Sequence, residues 1–362
     1  MWKKITKAAE KGVFRGLTKI RPADPVTLPL QPRVIAVFSC TGIGDGLFDS
    51  AAIRCLKLGY PDARLVVVAH HRRMTVARHN PFADEVLPYS KSPWTRFRLL
   101  GAFRTSRPCL VVALRVNEEA VPLGYLLNRH AFFGSVHRCR SFSFLLSHPI
   151  ESSPQSHAVE KTLSVARAAG GAPDAPGTMI YQVHETEREA ASRRFAPWFG
   201  EPYIAWQVGG GRTLGYRDWP PRHIIEAIRL LQGQIPHRIV ITGGHDNREA
   251  ANLIASACPD VINLCRRTSL EETAAVVQSA SLLVSSDTGV MHLGFAIGTP
   301  TLALLHPRSR PENFGPPAGD PRFEVIHLQP APAGGAPVGM DDLEPRRVVE
   351  AVLRRVRRGV SS

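Results

Sequence analysis

Short apolar runs alternate with longer amphipathic stretches along most of the chain. Runs with the length and composition of buried strands occupy residues 33–38, 64–69, 84–87, 110–114, 203–208, 238–242, 261–264, 281–285 and 301–305. The stretches between them show helical periodicity, and one of these opens with a capping box from Ser269 to Glu272. Regular alternation of this kind predicts βαβ units on parallel sheets and therefore an α/β fold.

Two domains are expected, because 362 residues exceed what one hydrophobic core usually serves. A proline-rich segment after residue 20 and a glycine-rich loop after residue 170 mark the changes of pattern. The expected division is a leader and linker over 1–32, a first α/β domain over 33–170, a second over 178–335 and a last helix over 341–362. We expect the last helix to pack back on the first domain.

Residues 1–20 form a basic amphipathic segment in which Val13, Phe14 and Leu17 alternate with lysines and arginines. Two interpretations remain open for this segment. It is either a solvated leader helix with frayed ends or a helix that lies on an anionic membrane surface.

The first candidate site is a glycine-rich turn after the strand at 33–38. It contains Gly42, Gly44, Asp45 and Gly46, at the sheet edge where open α/β folds bind ligands. The glycine spacing does not fit a dinucleotide-binding fingerprint. Asp45 is positioned to act as a general base on an acceptor hydroxyl, or else it caps the helix that follows.

The second candidate site is a glycine-rich loop with residues suited to phosphate, and the third is the stretch from Ser285 to Leu293. Gly209 to Gly211, with Arg212, Thr213 and Arg217, can wrap and neutralise a phosphate; the alternative is a flexible surface turn. Trp219 is expected to wedge this loop against the next helix. A fourth loop, which contains Gly243, is a glycine-rich turn by default.

The stretch from Ser285 to Leu293 joins a strand to a helix. Asp287, Thr288 and Gly289 lie at the helix start, where free N–H groups and the helix dipole favour an anion. His292 follows Thr288 by one turn, so both can face one ligand. The alternative is an ordinary capped helix with a histidine on its surface.

The formal net charge of +14 favours anionic partners such as phosphorylated substrates or an anionic membrane. No zinc-finger or RNP pattern is present, so nucleic acid is not an expected partner. The six cysteines form no C-x-x-C pair, which predicts reduced thiols and no metal site. No apolar run is long enough to cross a membrane, and no secretory signal is evident, so a cytoplasmic location is expected.

The motifs together resemble glycosyltransferase family 9, the lipopolysaccharide heptosyltransferases, from about residue 33 to about residue 317. The matching segments are Gly42–Asp45 with the helix after it, Thr242–Gly244 with Glu249, His157 with Glu160, and Ser286–Leu293 with Gly298–Pro300. The last of these is the most specific. Two family positions differ here, since Arg217 stands where a lysine is usual and His306 stands where a glycine is usual, which puts the usual tight turn in question.

The resemblance implies a GT-B fold, with two Rossmann-like domains facing each other across a cleft. It implies that the C-terminal domain holds the donor, ADP-heptose or another nucleotide sugar, and that the N-terminal domain holds the acceptor, a glycolipid of the lipopolysaccharide core or a related glycan. It also implies transfer with inversion, no metal and no cofactor. The expected protein is a monomer, cytoplasmic and peripheral on the inner membrane.

Residue roles follow from the same resemblance. Asp45 takes the position of the catalytic base, with Gly42, Gly44 and Gly46 in the acceptor-side loop. The donor-binding positions fall on Arg212, Thr213, Arg217, Gly243, Asp287, Thr288, Gly289 and His292.

Two competing classes lead to different expectations. A non-catalytic or repurposed GT-B protein would bind the sugar nucleotide without transferring it, but Asp45 is present. A dinucleotide oxidoreductase needs an acidic residue after the second strand, where this chain has Ala69, His70 and His71.

Overall fold

The computed structural model describes residues 2–39, 42–104, 109–116, 118–196, 198–332 and 335–359. The chain divides into two compact units, residues 1–181 and 182–362. The predicted boundary, between residues 170 and 178, is therefore slightly too early. Residues 171–181 belong to the first unit because they bind its second helix and the end of its third. Ile180 N–H donates to Ser50 Oγ of the second helix at 2.8 Å, and Tyr181 stacks on His79, just after the third helix, with ring centroids 4.6 Å apart.

The first unit is built on a parallel sheet. Its strands are β1 (Val34–Ser39), β2 (Arg64–His70), β3 (Glu85–Tyr89), β4 (Leu110–Arg115), β5 (Phe132–Ser135) and β6 (His148–Ile150). Its helices are α1 (Trp2–Ile20), α2 (Ile43–Gly59), α3 (Met74–Arg78), α4 (Pro93–Ala102), α5 (Val121–Leu127), α6 (Val136–Cys139) and α7 (Ala158–Ala168). Short 3₁₀ segments cover Glu118–Ala120 and Arg140–Leu145.

The second unit repeats this architecture. Its strands are β7 (Tyr203–Gln207), β8 (Arg238–Thr242), β9 (Ile262–Asn263), β10 (Leu282–Ser286), β11 (Thr301–Leu305) and β12 (Phe323–His327). Its helices are α8 (Glu185–Phe195), α9 (Pro221–Leu231), α10 (Arg248–Ala257), α11 (Leu270–Ser279), α12 (Gly289–Ile297), α13 (Pro311–Phe314) and α14 (Pro345–Gly359). Its 3₁₀ segments are Trp198–Gly200, Arg212–Arg217, His245–Asn247 and Met340–Asp342.

The strand orders confirm the predicted α/β class and define one topological crevice in each sheet. The orders are β3-β2-β1-β4-β5-β6 and β12-β11-β10-β7-β8-β9, and neighbouring strands pair in parallel. Strand order reverses between β1 and β4 in one sheet and between β7 and β10 in the other. Open parallel sheets bind ligands at such reversals, beyond the carboxyl ends of the strands.

Strands β5, β6 and β12 were not predicted from the pattern. Strand β6 has three residues and includes Pro149, and β12 carries the charged residue Glu324. Both lie at sheet edges, where one side of a strand needs no partner and polar residues are tolerated.

Helix α1 packs on the first unit, so the expectation of a frayed, solvated leader is wrong. Phe14 and Leu17 lie against the core of this unit. Arg96 of α4 donates to Glu10 at 3.0 Å, and Lys7 forms an ion pair with Glu118. No helix in the part of the chain that the structure describes is long and apolar enough to span a membrane.

Helix α14 packs on the second unit, so the prediction that it returns to the first is wrong. Val348, Val352 and Val356 recur every four residues and form a stripe along the helix. This stripe joins the core that contains Ile224 and Ile228 of α9. The amphipathic pattern therefore identified a buried face but not the surface that buries it.

Val352→Asp tests the position of α14. An unpaired charge at this fully buried site is expected to lower the free energy of unfolding by about 3 kcal/mol or more. Hydrogen exchange should rise in α9 while β1 and β2 keep their protection. The matched control is Arg347→Asp on the exposed face of the same helix. Faster exchange in β1 and β2, with α9 unchanged, would contradict the assignment.

Candidate functional site

Asp45 lies in the first turn of α2, beside the strand-order reversal of the first unit. Its Oδ2 accepts a hydrogen bond from the N–H of Gly42, the N-cap residue, at 3.4 Å. Asp45 thus caps the start of α2 through this one bond, since Gly42 has no side chain to return a second, and capping is one of the two interpretations that the sequence left open. Gly46 serves packing, because a Cβ there would lie 3.2 Å from Val76 Cγ1.

Arg115 is the second member of this site, and no pattern in the sequence points to it. It ends β4, the strand next to β1, and its Nη1 donates to Asp45 Oδ1 at 2.7 Å. Only 2% of the Arg115 side chain is exposed, against 35% for Asp45. The buried guanidinium also donates to the carbonyl of Ala158 at 3.3 Å and lies over the Phe48 ring at 5.1 Å. The buried Arg115 therefore holds the partly exposed carboxylate of Asp45 in a fixed position.

Asp49 lies one helical turn beyond Asp45 and is fully buried. Its Oδ1 is 3.6 Å from Arg115 Nε, and its Oδ2 accepts from Ser39 Oγ at 2.6 Å. Burial raises the pKa of Asp49 to about 7, against the lowering effects of Arg115 and the Ser39 hydrogen bond. Arg115 thus lies between two carboxylates, one buried and one partly exposed.

A basic cavity of about 330 Å³ adjoins Arg115 at the carboxyl ends of β4, β5 and β6. Its cationic and imidazole side chains are Arg115, His137, Arg138, Arg140 and Lys161. Burial, followed by repulsion from Arg115, lowers the pKa of Arg138. The crowding of like charges makes the cavity suited to a phosphate or carboxylate. In the sequence, the basic run Arg138-Cys139-Arg140 is the signal for this cavity among its lining residues. Strand β5, which places this run at the sheet edge, is not predicted by the pattern.

In the second unit, the glycine loop after β7 is held at several points. Gly209 is required there, since a Cβ would lie 2.5 Å from Asp218 Oδ2. Gly210 N–H donates to Asp218 Oδ1 at 2.8 Å, and Gly210 O accepts from Asn247 Nδ2 at 3.0 Å. Gln207 Nε2 donates to Gly209 O at 2.6 Å. The loop is thus an ordered part of the site and not a loose surface turn.

The loop after β8, which contains Gly243 and Gly244, helps to hold the glycine loop through Asn247. A Cβ on Gly243 would lie 2.9 Å from Asn247 Cβ, and Gly244 N–H donates to Asn247 Oδ1 at 2.9 Å. Gly243 therefore allows Asn247 to reach the glycine loop. The side chains of Arg212 and Thr213 lie outside the described residues; their backbone belongs to the 3₁₀ segment Arg212–Arg217.

The loop after β10 contains a capped helix. Thr288 is the N-cap of α12, and its hydroxyl accepts from Met291 N–H at 3.4 Å. Gly289 begins the helix. His292 is 6% exposed and packs edge-to-face on Phe295, with centroids 6.1 Å apart. The placement of Thr288 and His292 gives both a structural role, while the first N–H groups of α12 keep their anion-binding potential.

Asp287 and Arg217, both predicted to bind the donor, bind each other. Arg217 Nη1 donates to Asp287 Oδ2 at 2.8 Å, and Ser309 Oγ donates to the same oxygen at 2.9 Å. The Arg217 side chain is 24% exposed, and the Asp287 side chain is 11% exposed. A carboxylate repels phosphate, so the observed role of Asp287 is to hold Arg217 in place. Ser309 had no signal in the sequence pattern.

A second cation stands near Arg217. The guanidinium groups of Arg217 and Arg308 lie 5.5 and 5.8 Å from the centroid of the exposed Tyr216 ring. His306 packs edge-to-face on this ring at 5.0 Å. Burial, followed by the charges of Arg308 and Arg217, lowers the pKa of His306. The site thus gathers positive charge around one aromatic ring.

The turn after β11 forms although His306 replaces the usual glycine. Ser309 N–H donates to His306 O at 2.8 Å, and Arg308 N–H donates to His306 Nδ1 at 3.0 Å. The imidazole therefore supports the turn, and the suspected loss of the tight turn does not occur.

Trp219 packs on the next helix, α9, as predicted, since its ring meets His223 edge-to-face with centroids 5.7 Å apart. Its ring stacks on Trp206 at 6.0 Å, and its indole N–H donates to Leu343 O at 2.9 Å. Its backbone N–H donates to Ser286 Oγ at 3.2 Å. The loops after β7 and β10 are thereby joined directly.

Asp49→Asn tests the buried charge behind Asp45. Between the ordinary pKa of 3.8 and the raised value of about 7, the folded protein binds a proton that the unfolded chain releases. The contribution of Asp49 to stability therefore falls as the pH rises through this window. The free energy of unfolding of the variant minus that of wild type should increase from about pH 5 to about pH 8, measured by urea denaturation. Asp62→Asn, at an exposed site, should leave the corresponding difference flat. A flat difference for Asp49→Asn would contradict the raised pKa.

Named relatives share this architecture. Lipopolysaccharide heptosyltransferase 2 of Salmonella typhimurium is 24% identical over 340 residues, which cover 87% of this chain and 96% of that protein. The solved ADP-heptose LPS heptosyltransferase II of E. coli superposes with a TM-score of 0.76 at 23% identity, covering 90% of this chain and 98% of that one. The E. coli heptosyltransferase WaaC with ADP gives a TM-score of 0.71 at 19% identity, covering 89% and 99%. The two structures establish the likeness of fold.

The family match covers more than half of the chain. The sequence model of glycosyltransferase family 9 (heptosyltransferase) matches residues 125–332, from α5 to the segment after β12. With two parallel six-stranded sheets, the α/β fold is of the GT-B class. The chain therefore belongs to glycosyltransferase family 9, the heptosyltransferases, and is a glycosyltransferase.

Proposed function

We propose that this glycosyltransferase moves heptose from ADP-heptose to a lipopolysaccharide core acceptor, with inversion at the anomeric carbon. The names of the relatives support the donor and the acceptor, since one solved neighbour is named for ADP-heptose and LPS and another carries ADP. The Salmonella relative is likewise a lipopolysaccharide enzyme by name. The reaction proposed here needs neither a metal ion nor a cofactor.

In the proposed reaction, an acceptor hydroxyl oxygen attacks the anomeric carbon of the heptose. A new C–O bond forms to the acceptor while the C–O bond to the diphosphate breaks, and ADP leaves with the electron pair. Asp45 takes the hydroxyl proton. Attack from the face opposite the leaving group inverts the anomeric centre.

The pair of Asp45 and Arg115 carries the proposal. A general base has to be ionised, oriented and within reach of solvent, and Asp45 is 35% exposed with Oδ1 bonded to a buried guanidinium. The family match begins at residue 125, so the role of Asp45 rests on this geometry and on the motif around it.

The donor diphosphate is assigned to the second unit. The developing negative charge on the leaving phosphate is stabilised by Arg217, by Arg308 and by the first N–H groups of α12. These fixed positive groups take the role that a divalent cation has in other transferases. Asp287 and Ser309 set the position of Arg217.

The acceptor is assigned to the first unit, because the basic cavity beside Arg115 suits an anionic glycan. Arg138, Arg140 and Lys161 line it within the same unit as Asp45. A phosphate or carboxylate on the acceptor core would be bound there, which positions a neighbouring hydroxyl for Asp45.

Asp45→Asn tests the base. Turnover should fall by about 10²- to 10⁴-fold, the usual contribution of a general base, while ADP affinity stays at the wild-type value. Initial rates with ADP-heptose and a core acceptor give the first quantity, and calorimetry with ADP gives the second. Asp62→Asn, an exposed aspartate of the same unit, serves as the control.

One outcome would contradict the base assignment alone, and another would contradict the transferase activity. Near-normal turnover of Asp45→Asn would remove the base assignment. Wild-type protein that binds ADP-heptose but transfers nothing to any core acceptor would favour the alternative, a repurposed GT-B protein that binds sugar nucleotides.

Asp287→Asn tests the donor site. Loss of one charge should release Arg217 and weaken ADP binding about tenfold, equivalent to ~1.4 kcal/mol. Arg217→Ala should weaken it as well, and the double variant should fall short of the sum, because the two residues act as one unit. Asp341→Asn breaks an exposed ion pair with Arg222 and is the matched control. Full additivity, or unchanged affinity in Asp287→Asn, would contradict the role given to this pair.

A further inference from the structure

Helix α4 exposes two large aromatic side chains on the surface of the first unit. Trp94 is 78% exposed and Phe97 is 72% exposed. They are three residues apart and therefore lie on one face of the helix. We call this pair, with the exposed Gly101 one further turn on, the aromatic face of α4.

The orientation of this face is fixed by the opposite side of the helix. Leu99 and Phe103 are 3% and 4% exposed and belong to the core of the first unit, with Leu100 packed against it. Because these residues anchor α4, Trp94 and Phe97 cannot turn inward without unpacking the helix. Isolated exposed apolar residues are common, but paired aromatics on an anchored helix mark a surface that meets another apolar phase.

Positive charge borders the aromatic face. Lys91, Arg98 and Arg104 are all exposed and lie within seven positions of Trp94 or Phe97 in the sequence. Arg96 is different, since its guanidinium is bonded to Glu10 of α1. Aromatic side chains with a rim of lysine and arginine are the composition of a surface that enters the headgroup region of an anionic bilayer.

Helix α1 is linked to α4 by an ion pair between Glu10 and Arg96. It exposes two further apolar side chains. Val13 lies one turn after Glu10, and Ile20 follows at the same helical angle; they are 69% and 79% exposed. Phe14 and Leu17 of the same helix are half-buried and pack against the core of the first unit.

We propose that the aromatic face of α4 docks this protein on an anionic lipid surface. Trp94 and Phe97 enter the interfacial layer, while Lys91, Arg98 and Arg104 contact lipid phosphates. A membrane role was one of the two interpretations of α1; it passes mainly to α4, because Phe14 and Leu17 of α1 pack on the protein. This docking is independent of the proposed sugar transfer, and it can hold or fail without it.

Vesicle flotation of the full chain tests the proposal. The probes are vesicles of phosphatidylcholine alone and of phosphatidylcholine mixed with phosphatidylglycerol. Wild type should bind the anionic vesicles and lose that binding at high salt. Trp94→Ala with Phe97→Ala should reduce binding about tenfold or more, and Arg98→Glu with Arg104→Glu should abolish the dependence on salt.

The control changes the same number of exposed apolar residues elsewhere. Leu126→Ala with Leu253→Ala removes side chains that are 49% and 54% exposed on α5 and α10, and vesicle binding should not change. ADP affinity and circular dichroism confirm that each variant is folded. Equal vesicle binding by wild type and the aromatic double variant would overturn the proposal.

A second copy of the chain is the other occupant that this experiment distinguishes. Light scattering on wild type and on the aromatic double variant reports self-association. A wild-type dimer that becomes a monomer in the variant, with vesicle binding unaffected, would overturn the proposal and assign the face to self-association. A monomer in both cases, with binding lost in the variant, supports the lipid surface.

Discussion

Parallel strand pairing is the constraint from which both sites follow. A parallel connection has to cross a face of the sheet, so every strand delivers its following loop to the same edge. In each unit the strand order reverses once near the middle, between β1 and β4 or between β7 and β10. The loops on the two sides of a reversal diverge and leave a crevice. Asp45 with Arg115 occupies the first crevice, and Arg217 with Asp287 occupies the second.

Both crevices contain an ion pair of an arginine with an aspartate, but they differ in which partner is the more buried. In the first unit the arginine is buried and the aspartate is the exposed partner. In the second unit the aspartate is the more buried partner, and the arginine is the more exposed one. A buried ion is costly unless it is paired, so the exposed partner is the group that each pair presents to a ligand. The first site thus exposes a carboxylate, and the second exposes a guanidinium.

The sequence predicted the loops well because their signals are local. Glycines that follow an apolar run, and an aspartate or threonine at a helix start, are readable within ten residues or so. Arg115 could not be found in this way, since it ends an apolar strand and meets Asp45 across 70 positions. Ser309 reaches Asp287 across 22 positions and has the same limitation. The amphipathic stripes of α1 and α14 predicted buried faces, but a stripe does not specify which surface will cover it.

The stacked indoles of Trp206 and Trp219 give the second unit an optical property of its own. The two rings are nearly parallel, at 5°, and both are almost completely buried. Near-parallel rings at this separation couple electronically, and their near-ultraviolet dichroism depends on fixed packing. Trp219 directly follows Asp218, which holds the glycine loop, and its N–H is bonded to Ser286. Any shift of these loops on loading with nucleotide therefore changes an intrinsic spectroscopic band, without an added label.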